Sequence, residues 1–168
     1  MPLQIRPEQP VDAAAIGAVT QAAFAQAEHA SGTEAQIIAA LRAAGALSVS
    51  LVAEEGEALL GHVAVSPVQI SDGTPGWYGL GPLAVLPARQ GQGIGSQLMH
   101  AALDALRALG AQGCVLLGEP EYYGRFGFRA QATLQFMAAP APYFQALRFA
   151  GPWPLGTVRY HPAFDSAA

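Results

Sequence analysis

The chain contains no lysine, one cysteine and little charge of either sign, with Asp, Glu, Lys and Arg together making up 12% of its 168 residues. Each shortage excludes something. A phosphate loop of the nucleoside triphosphatase kind needs Gly-Lys followed by Ser or Thr, and without lysine it cannot be built. Cys114 alone forms no internal disulfide and no multi-cysteine metal site. In Gly-Cys-Val-Leu-Leu-Gly it reads as a packed thiol on a buried strand. The eight arginines are scattered and the net charge is -4, so no basic stripe is available to a nucleic acid. No apolar run approaches the length of about 18 residues that spans a bilayer. The N-terminus, Met-Pro-Leu-Gln-Ile-Arg, lacks a signal peptide's basic start and apolar block. A cytoplasmic protein with no membrane or nucleic-acid partner is expected. Four histidines without paired spacing give no metal site.

Apolar residues are abundant instead, at 52%, much of it alanine. Residues 1–168 read as a single domain, and at that length folding removes roughly 70% of the unfolded chain's surface from water.

In chain order, Leu3 to Pro7 reads as a strand. Val11 to Ala27 reads as a helix, with Ile16, Val19, Ala23 and Phe24 at helical spacing. Ser31 or Thr33 can cap a second helix that runs through Leu41. Leu47 to Glu54 and Leu59 to Ile70 form a hairpin, in which His62 is a packed or edge residue. Ser71 to Gly76 is a turn. Trp77 to Leu86 is a strand broken by Gly79, Gly81 and Pro82, because glycine has no side chain to pack and proline no amide to donate, and this reads as a bulge.

A glycine-rich turn and then a helix follow, the helix running from Ile94 to about Leu109, with Ile94, Leu98, Ala101, Ala105 and Leu109 on one face and Gly110 as its stop. Val115 to Leu117 is a buried strand that should lie parallel to the strand before the helix. Pro120 starts a short helix and Gly127 ends it. Leu134 to Met137 and Gly156 to Tyr160 are the last strands. Between them the four prolines among residues 138–154 leave room for one helical turn near Tyr143 to Leu147.

The turn after Pro87 is the most informative stretch. Amides at a helix start have no intrahelical acceptors, and the helix dipole adds positive charge there, so anions bind. Gly91, Gly93 and Gly95 let an anion approach the backbone closely. A dinucleotide fingerprint beginning at Gly91 would need glycine where Ser96 stands. The pattern that fits is Gln/Arg-x-x-Gly-x-Gly, carried by Gln90, Gly93 and Gly95 behind a bulged strand.

With Gly61, the Leu-Ala-Val strand end and Tyr123-Gly-Arg-Phe-Gly-Phe128, this pattern resembles the GNAT superfamily of N-acetyltransferases over most of the chain, in particular a bacterial branch. The resemblance implies an α/β (α+β) fold: a mixed, mostly antiparallel sheet of six or seven strands, helices on both faces, and a parallel central pair that splays. It implies acetyl-CoA as cosubstrate, no metal, and an amine acceptor that is a small molecule or a peptide.

Pantetheine would lie along Leu83, Ala84 and Val85. The pyrophosphate would meet the backbone of Gln90, Gly91, Gln92, Gly93, Ile94, Gly95 and Ser96, with Arg89 at hand. Tyr123 holds the family's general-acid position. Glu119 is the candidate base, with Glu121 and Glu34 as other carboxylates near the groove or acceptor region. A homodimer is in keeping with the superfamily. The competing expectation is a non-catalytic module that binds or senses acyl-CoA.

Overall fold

The structure, a computed structural model, describes residues 2–25 and 32–166. The expected helix end at Gln26 and Ala27 and the cap at Ser31 lie outside them. The elements in order are β1 (Leu3–Pro7), α1 (Ala13–Phe24), α2 (Glu34–Ala43), β2 (Val49–Glu55), β3 (Ala58–Pro67), β4 (Gln69–Ile70), β5 (Trp77–Val85), α3 (Ile94–Ala108), β6 (Gly113–Leu117), α4 (Pro120–Gly124), β7 (Leu134–Gln135), β8 (Phe144–Arg148), β9 (Gly156–Arg159) and α5 (Ala163–Ser166).

Six strands form the main sheet in the order β1-β2-β3-β5-β6-β8, and three short ones form a second sheet, β4-β9-β7. Within the main sheet only β5 and β6 run parallel. Residues alternate between its two faces. Val49, Leu51, Val63 and Val65 pack against Leu98, Met99, Ala102 and Leu106 of α3. Val52 and Ala64 turn the other way, onto Ile16 of α1 and Ile38 of α2. Each fully buried Leu or Ile contributes about 1.5–3 kcal/mol relative to exposure, so both helical layers are held mainly by these stripes.

Charge pins the first strand. Arg6 donates to Glu54 at 2.9 Å and to Asp12 at 2.8 Å, which joins β1, β2 and the start of α1. The Arg6 guanidinium and the Gln9 amide hold the Asp12 carboxyl below the usual carboxylate range.

Several boundaries differ from the sequence reading. Pro10–Asp12 is a 3-10 turn, and α1 proper begins at Ala13. The long second arm of the hairpin is two strands: after Pro67 the chain leaves the main sheet, and Gln69 and Ile70 pair with Arg159 and Val158. The buried face of α3 is Ile94, Leu98, Ala102 and Leu106 with Met99 and Leu103. Leu109, expected on that face, lies past the last helical residue and is 55% exposed. The predicted helical turn near Tyr143 to Leu147 is instead β8, paired antiparallel with β6 from Phe144↔Leu117 to Arg148↔Gly113. Only Ala141–Tyr143 just before it is helical, as a 3-10 turn.

The central feature is the parting of β5 and β6. They pair at Trp77↔Gly113, Tyr78↔Cys114 and Gly79↔Val115, and no further. On its other edge β5 carries one extra residue, since Val63 and Val65 face Leu83 and Leu80. The bulge therefore sits at Gly81 and Pro82, as expected from their chemistry. Beyond Gly79, β6 stays with β8 and β5 stays with β3, leaving a wedge between them.

Candidate active site

Backbone direction decides what the wedge offers. The Leu86 amide donates to Leu60 O at 2.9 Å, toward β3. Successive residues of a strand present their amides and carbonyls to opposite edges, so Leu83 and Val85 turn theirs toward the wedge while Ala84 turns its own to β3. The Val85 carbonyl accepts a hydrogen bond from Gln90 Nε2 at 3.0 Å, in keeping with that direction. The Gln90 side chain thus ties the glycine turn to the end of the strand.

At the mouth of the wedge stands the start of α3. Pro87–Arg89 makes a 3-10 turn, and Gly93 occupies the N-cap position with φ 84°. Gly91 has φ 78°. Both values lie in the left-handed region that glycine adopts at little cost. The first amides of a 15-residue helix therefore face open space.

These parts line one cavity of about 520 Å³. Of the residues that the sequence reading assigned to the cosubstrate, the cavity gathers Leu83, Val85, Arg89, Gln90, Gly91, Gly93, Ile94, Gly95 and Ser96. Ala84 and Gln92 are not among its walls. Ala84 is buried opposite His62, and Gln92 accepts a hydrogen bond from Arg89 Nε at 2.9 Å. Arg89 also pairs with Glu55 at 3.2 Å, so its guanidinium already has a carboxylate partner.

Two further walls, Tyr122 and Arg125, were not anticipated. Arg125 stacks on the Tyr122 ring, 4.4 Å from its centroid, and the pair faces the cradle from α4 and the turn after it. A Cβ on Gly95 would lie 3.2 Å from the Tyr122 hydroxyl, which is how closely the ring approaches α3. The arginine within Tyr-x-Arg-Phe was a visible signal. Its distance of some thirty residues from the glycines concealed the connection.

Tyr123 sits beside this cavity rather than in its wall. Its ring lies against Gly118, where a side chain would overlap Cε2, and it meets Tyr122 edge-on at 4.8 Å. Gly118 directly follows β6, so the ring is held at the tip of the splayed strand. Burial, and then the neighbouring Tyr122, pushes the Tyr123 hydroxyl up to about 12. Glu119 takes the N-cap position of α4 and is exposed, as is Glu121. Neither carboxylate lines the cavity.

Cys114 is fully buried, and burial raises its thiol pKa well above the ordinary value. It is packed, as its sequence context suggested.

His62 is also fully buried, beside Ser50 and Glu8. Ser50 Oγ contacts both Glu8 Oε1 and His62 Nε2, the latter at 2.7 Å. A serine hydroxyl has one hydrogen to donate, and the carboxylate accepts it, so the imidazole donates from Nε2; its Nδ1 has no partner among the described residues, which with burial favours the neutral ring. Burial pushes His62 down to about 4, against a smaller upward pull from Glu8. The unfolded chain binds a proton near pH 6.5 that the native chain refuses until about pH 4. Stability that is full above pH 6.5 should therefore decline as the pH falls toward 4, by a few kcal/mol from this group. Thermal melts of the parent and of His62→Gln across that range test this. A variant curve as steep as the parent's would remove His62 as the cause.

A glycine turn at a helix start, an open strand edge and a tyrosine at the tip of the neighbouring strand are gathered around one cavity. The Acetyltransferase (GNAT) domain family matches residues 46–130, half of the chain. The chain belongs to the GNAT family of acetyltransferases. As a GNAT member it is 40% identical over 129 residues to the Escherichia coli K12 protein named uncharacterized N-acetyltransferase YhbS, covering 76% of this chain and 74% of that protein. A second E. coli K12 relative, uncharacterized N-acetyltransferase YjhQ, is 36% identical over 115 residues, 65% of this chain and 62% of that one.

Among solved structures, a GNAT family acetyltransferase from Brucella melitensis in complex with acetyl-CoA superposes with a TM-score of 0.88 at 52% identity, over 98% of this chain and 99% of that one. E. coli YhbS in complex with CoA gives 0.88 at 36% identity, over 97% and 92%. The mixed, splayed GNAT sheet expected from the motifs is thus the fold of this chain.

Proposed function

We propose that the chain moves the acetyl group of acetyl-CoA directly to a primary amine of a small molecule or peptide. The observation that carries this reading is the single cavity joining the amides at the start of α3 to the open edge of β5. The acetyl-CoA and CoA complexes of the two similar proteins support it.

In this reading the backbone from Gln90 to Ser96 holds the pyrophosphate, and Arg125 adds a positive charge from the opposite wall. The edge groups of Leu83 and Val85 hydrogen-bond the pantetheine amides, and one N–H from this edge faces the thioester oxygen. Such a preorganised donor stabilises charge developing there. The bound cosubstrate supplies an activated acyl group. A nitrogen–carbon bond forms as the carbon–sulfur bond breaks, the amine gives up one proton, and the sulfur receives one. Tyr123 donates to the departing sulfur. Glu119, being exposed, takes the amine's proton only through water.

The testing experiment mixes protein, acetyl-CoA and a library of amines and follows free thiol. Thiol released with an acceptor supports transfer. CoA binding without release for any amine favours the binding module instead. Arg125→Ala should raise KM for acetyl-CoA about tenfold, the size of one charge-assisted hydrogen bond, with kcat little changed. Arg89→Ala should do less, because Glu55 already holds that guanidinium. Equal effects of the two substitutions in steady-state assays would count against this division.

A further inference from the structure

Strand β8 carries one polar side chain that is fully inside, Gln145, between the buried apolar residues Phe144 and Ala146. A buried amide disfavours folding unless its polar atoms are met, so its partner shows what it serves. Gln145 Nε2 donates to the Gly118 carbonyl at 2.9 Å.

The backbone explains why a side chain is needed there. Ala146 exchanges its amide and its carbonyl with Arg129 on the outer edge of β8. Gln145 therefore presents its own backbone groups to Leu116 of β6. Two residues further along each strand, the same pattern would join Gly118 and Tyr143 by two hydrogen bonds. Only one of them forms: the Gly118 amide donates to Tyr143 O at 3.0 Å. The Tyr143 amide is committed instead to Pro140 O at 3.1 Å, in the 3-10 turn that ends at this residue. Gly118 O is thus left without its ladder donor, and the Gln145 side chain supplies one.

Gly118 is also where the tyrosine of the proposed chemistry is mounted. It directly follows β6, and the Tyr123 ring lies so close against it that a side chain would overlap Cε2. The Tyr123 amide donates to Glu119 O at 3.1 Å, which ties the start of α4 to the same short segment. With its amide and carbonyl both bonded toward β8, Gly118 carries the departure of β6 from β5 one residue past the last pair, Leu117↔Phe144.

We propose that Gln145 is a positioning residue for acetyl transfer: by holding the Gly118 carbonyl it fixes the seat of the Tyr123 ring at the open end of the wedge. This rests on the acetyl-transfer reading above, in which Tyr123 serves the departing sulfur. Gln145 is not a wall of the cosubstrate cavity, so it acts through Tyr123 and not on the cosubstrate. A donor displaced by about 1 Å loses up to about 100-fold in rate, so a small shift of this seat is enough to matter.

Gln145→Met removes the donor and keeps an unbranched side chain of similar length. With acetyl-CoA and an amine that the library assay identifies as an acceptor, it should lower kcat about tenfold and leave KM for acetyl-CoA within about twofold. In a Tyr123→Phe background the same substitution should change kcat by less than about twofold, because the hydroxyl it positions is already gone. A tenfold loss in both backgrounds, or no loss in the parent, would overturn the role.

Gln145→Glu is the second variant, should the methionine chain fail to fold by circular dichroism. Its side chain donates only when protonated, so its kcat relative to the parent should rise as the pH falls. A flat ratio would count against positioning, and failure of both variants to fold would make the amide a folding element alone. The seat is also read without turnover. NMR spectra of the parent should show cross-relaxation between the Gly118 α protons and the Tyr123 ring, and either variant should weaken it; an undiminished contact overturns the proposal. A parent that transfers to no amine overturns the proposed function instead, and the ring contact then still decides whether Gln145 seats Tyr123.

Discussion

Tyr123→Phe is expected to lower kcat for acetyl transfer about 100-fold while leaving the affinity for acetyl-CoA within a factor of two or so, the lower end of what a positioned proton donor contributes. The substitution removes one oxygen and keeps the ring. That ring lies against Gly118 and meets Tyr122 and Phe128 edge-on, so packing survives the change. The lost group is a phenol pushed up to about 12, against about 8.5 for an ordinary thiol. At neutral pH it holds its proton, and in the proposed mechanism it donates a hydrogen bond to the sulfur as charge builds there, full transfer being uphill between these two values. The parent's rate should accordingly show no alkaline loss from this group until the pH nears 12. Steady-state kinetics on a verified acceptor, with calorimetric titration of CoA, check both halves. Unchanged kcat would take the acid role from Tyr123.

Gly93→Val should weaken acetyl-CoA binding tenfold to a hundredfold with the fold retained. The penalty is conformational, since a Cβ at this position meets nothing within 4 Å. With φ at 84°, Gly93 sits where L-residues pay about 1–2 kcal/mol and β-branched ones more. Valine there either strains the turn or rotates it, and rotation moves the first amides of α3 away from the proposed pyrophosphate position. A helix whose buried face is Ile94, Leu98, Ala102 and Leu106 survives such a local change, because net stabilities are about 5–15 kcal/mol. Circular dichroism should report intact helix and calorimetry the lost affinity. Undiminished affinity would mean that the phosphates are held elsewhere.

The parts of this molecule legible in the sequence are those made by local chemistry. Gly81 and Pro82 announced the bulge because neither can serve a regular ladder, and Gly91 and Gly93 announced the turn because little else adopts its backbone. Pro120 marked the first turn of α4 for a similar reason.

What stayed hidden depends on partners far away in sequence. β8 is flanked by prolines and buried on both faces, with Phe144, Gln145 and Ala146 all inside, so it shows no alternation to read. The split of the long hairpin arm at Pro67 requires knowing that β9 waits to receive Gln69 and Ile70. Arg125 and Tyr122 reach the cradle only because β6 brings α4 back beside α3.

The small β4-β9-β7 sheet gives the molecule a division of labour. It is built from the segment just beyond β3 and from the last quarter of the chain, and it contributes no residue to the cavity at the start of α3. Changes in those strands should therefore leave the affinity for acetyl-CoA constant, so sequence divergence is tolerated there without loss of the proposed cosubstrate site.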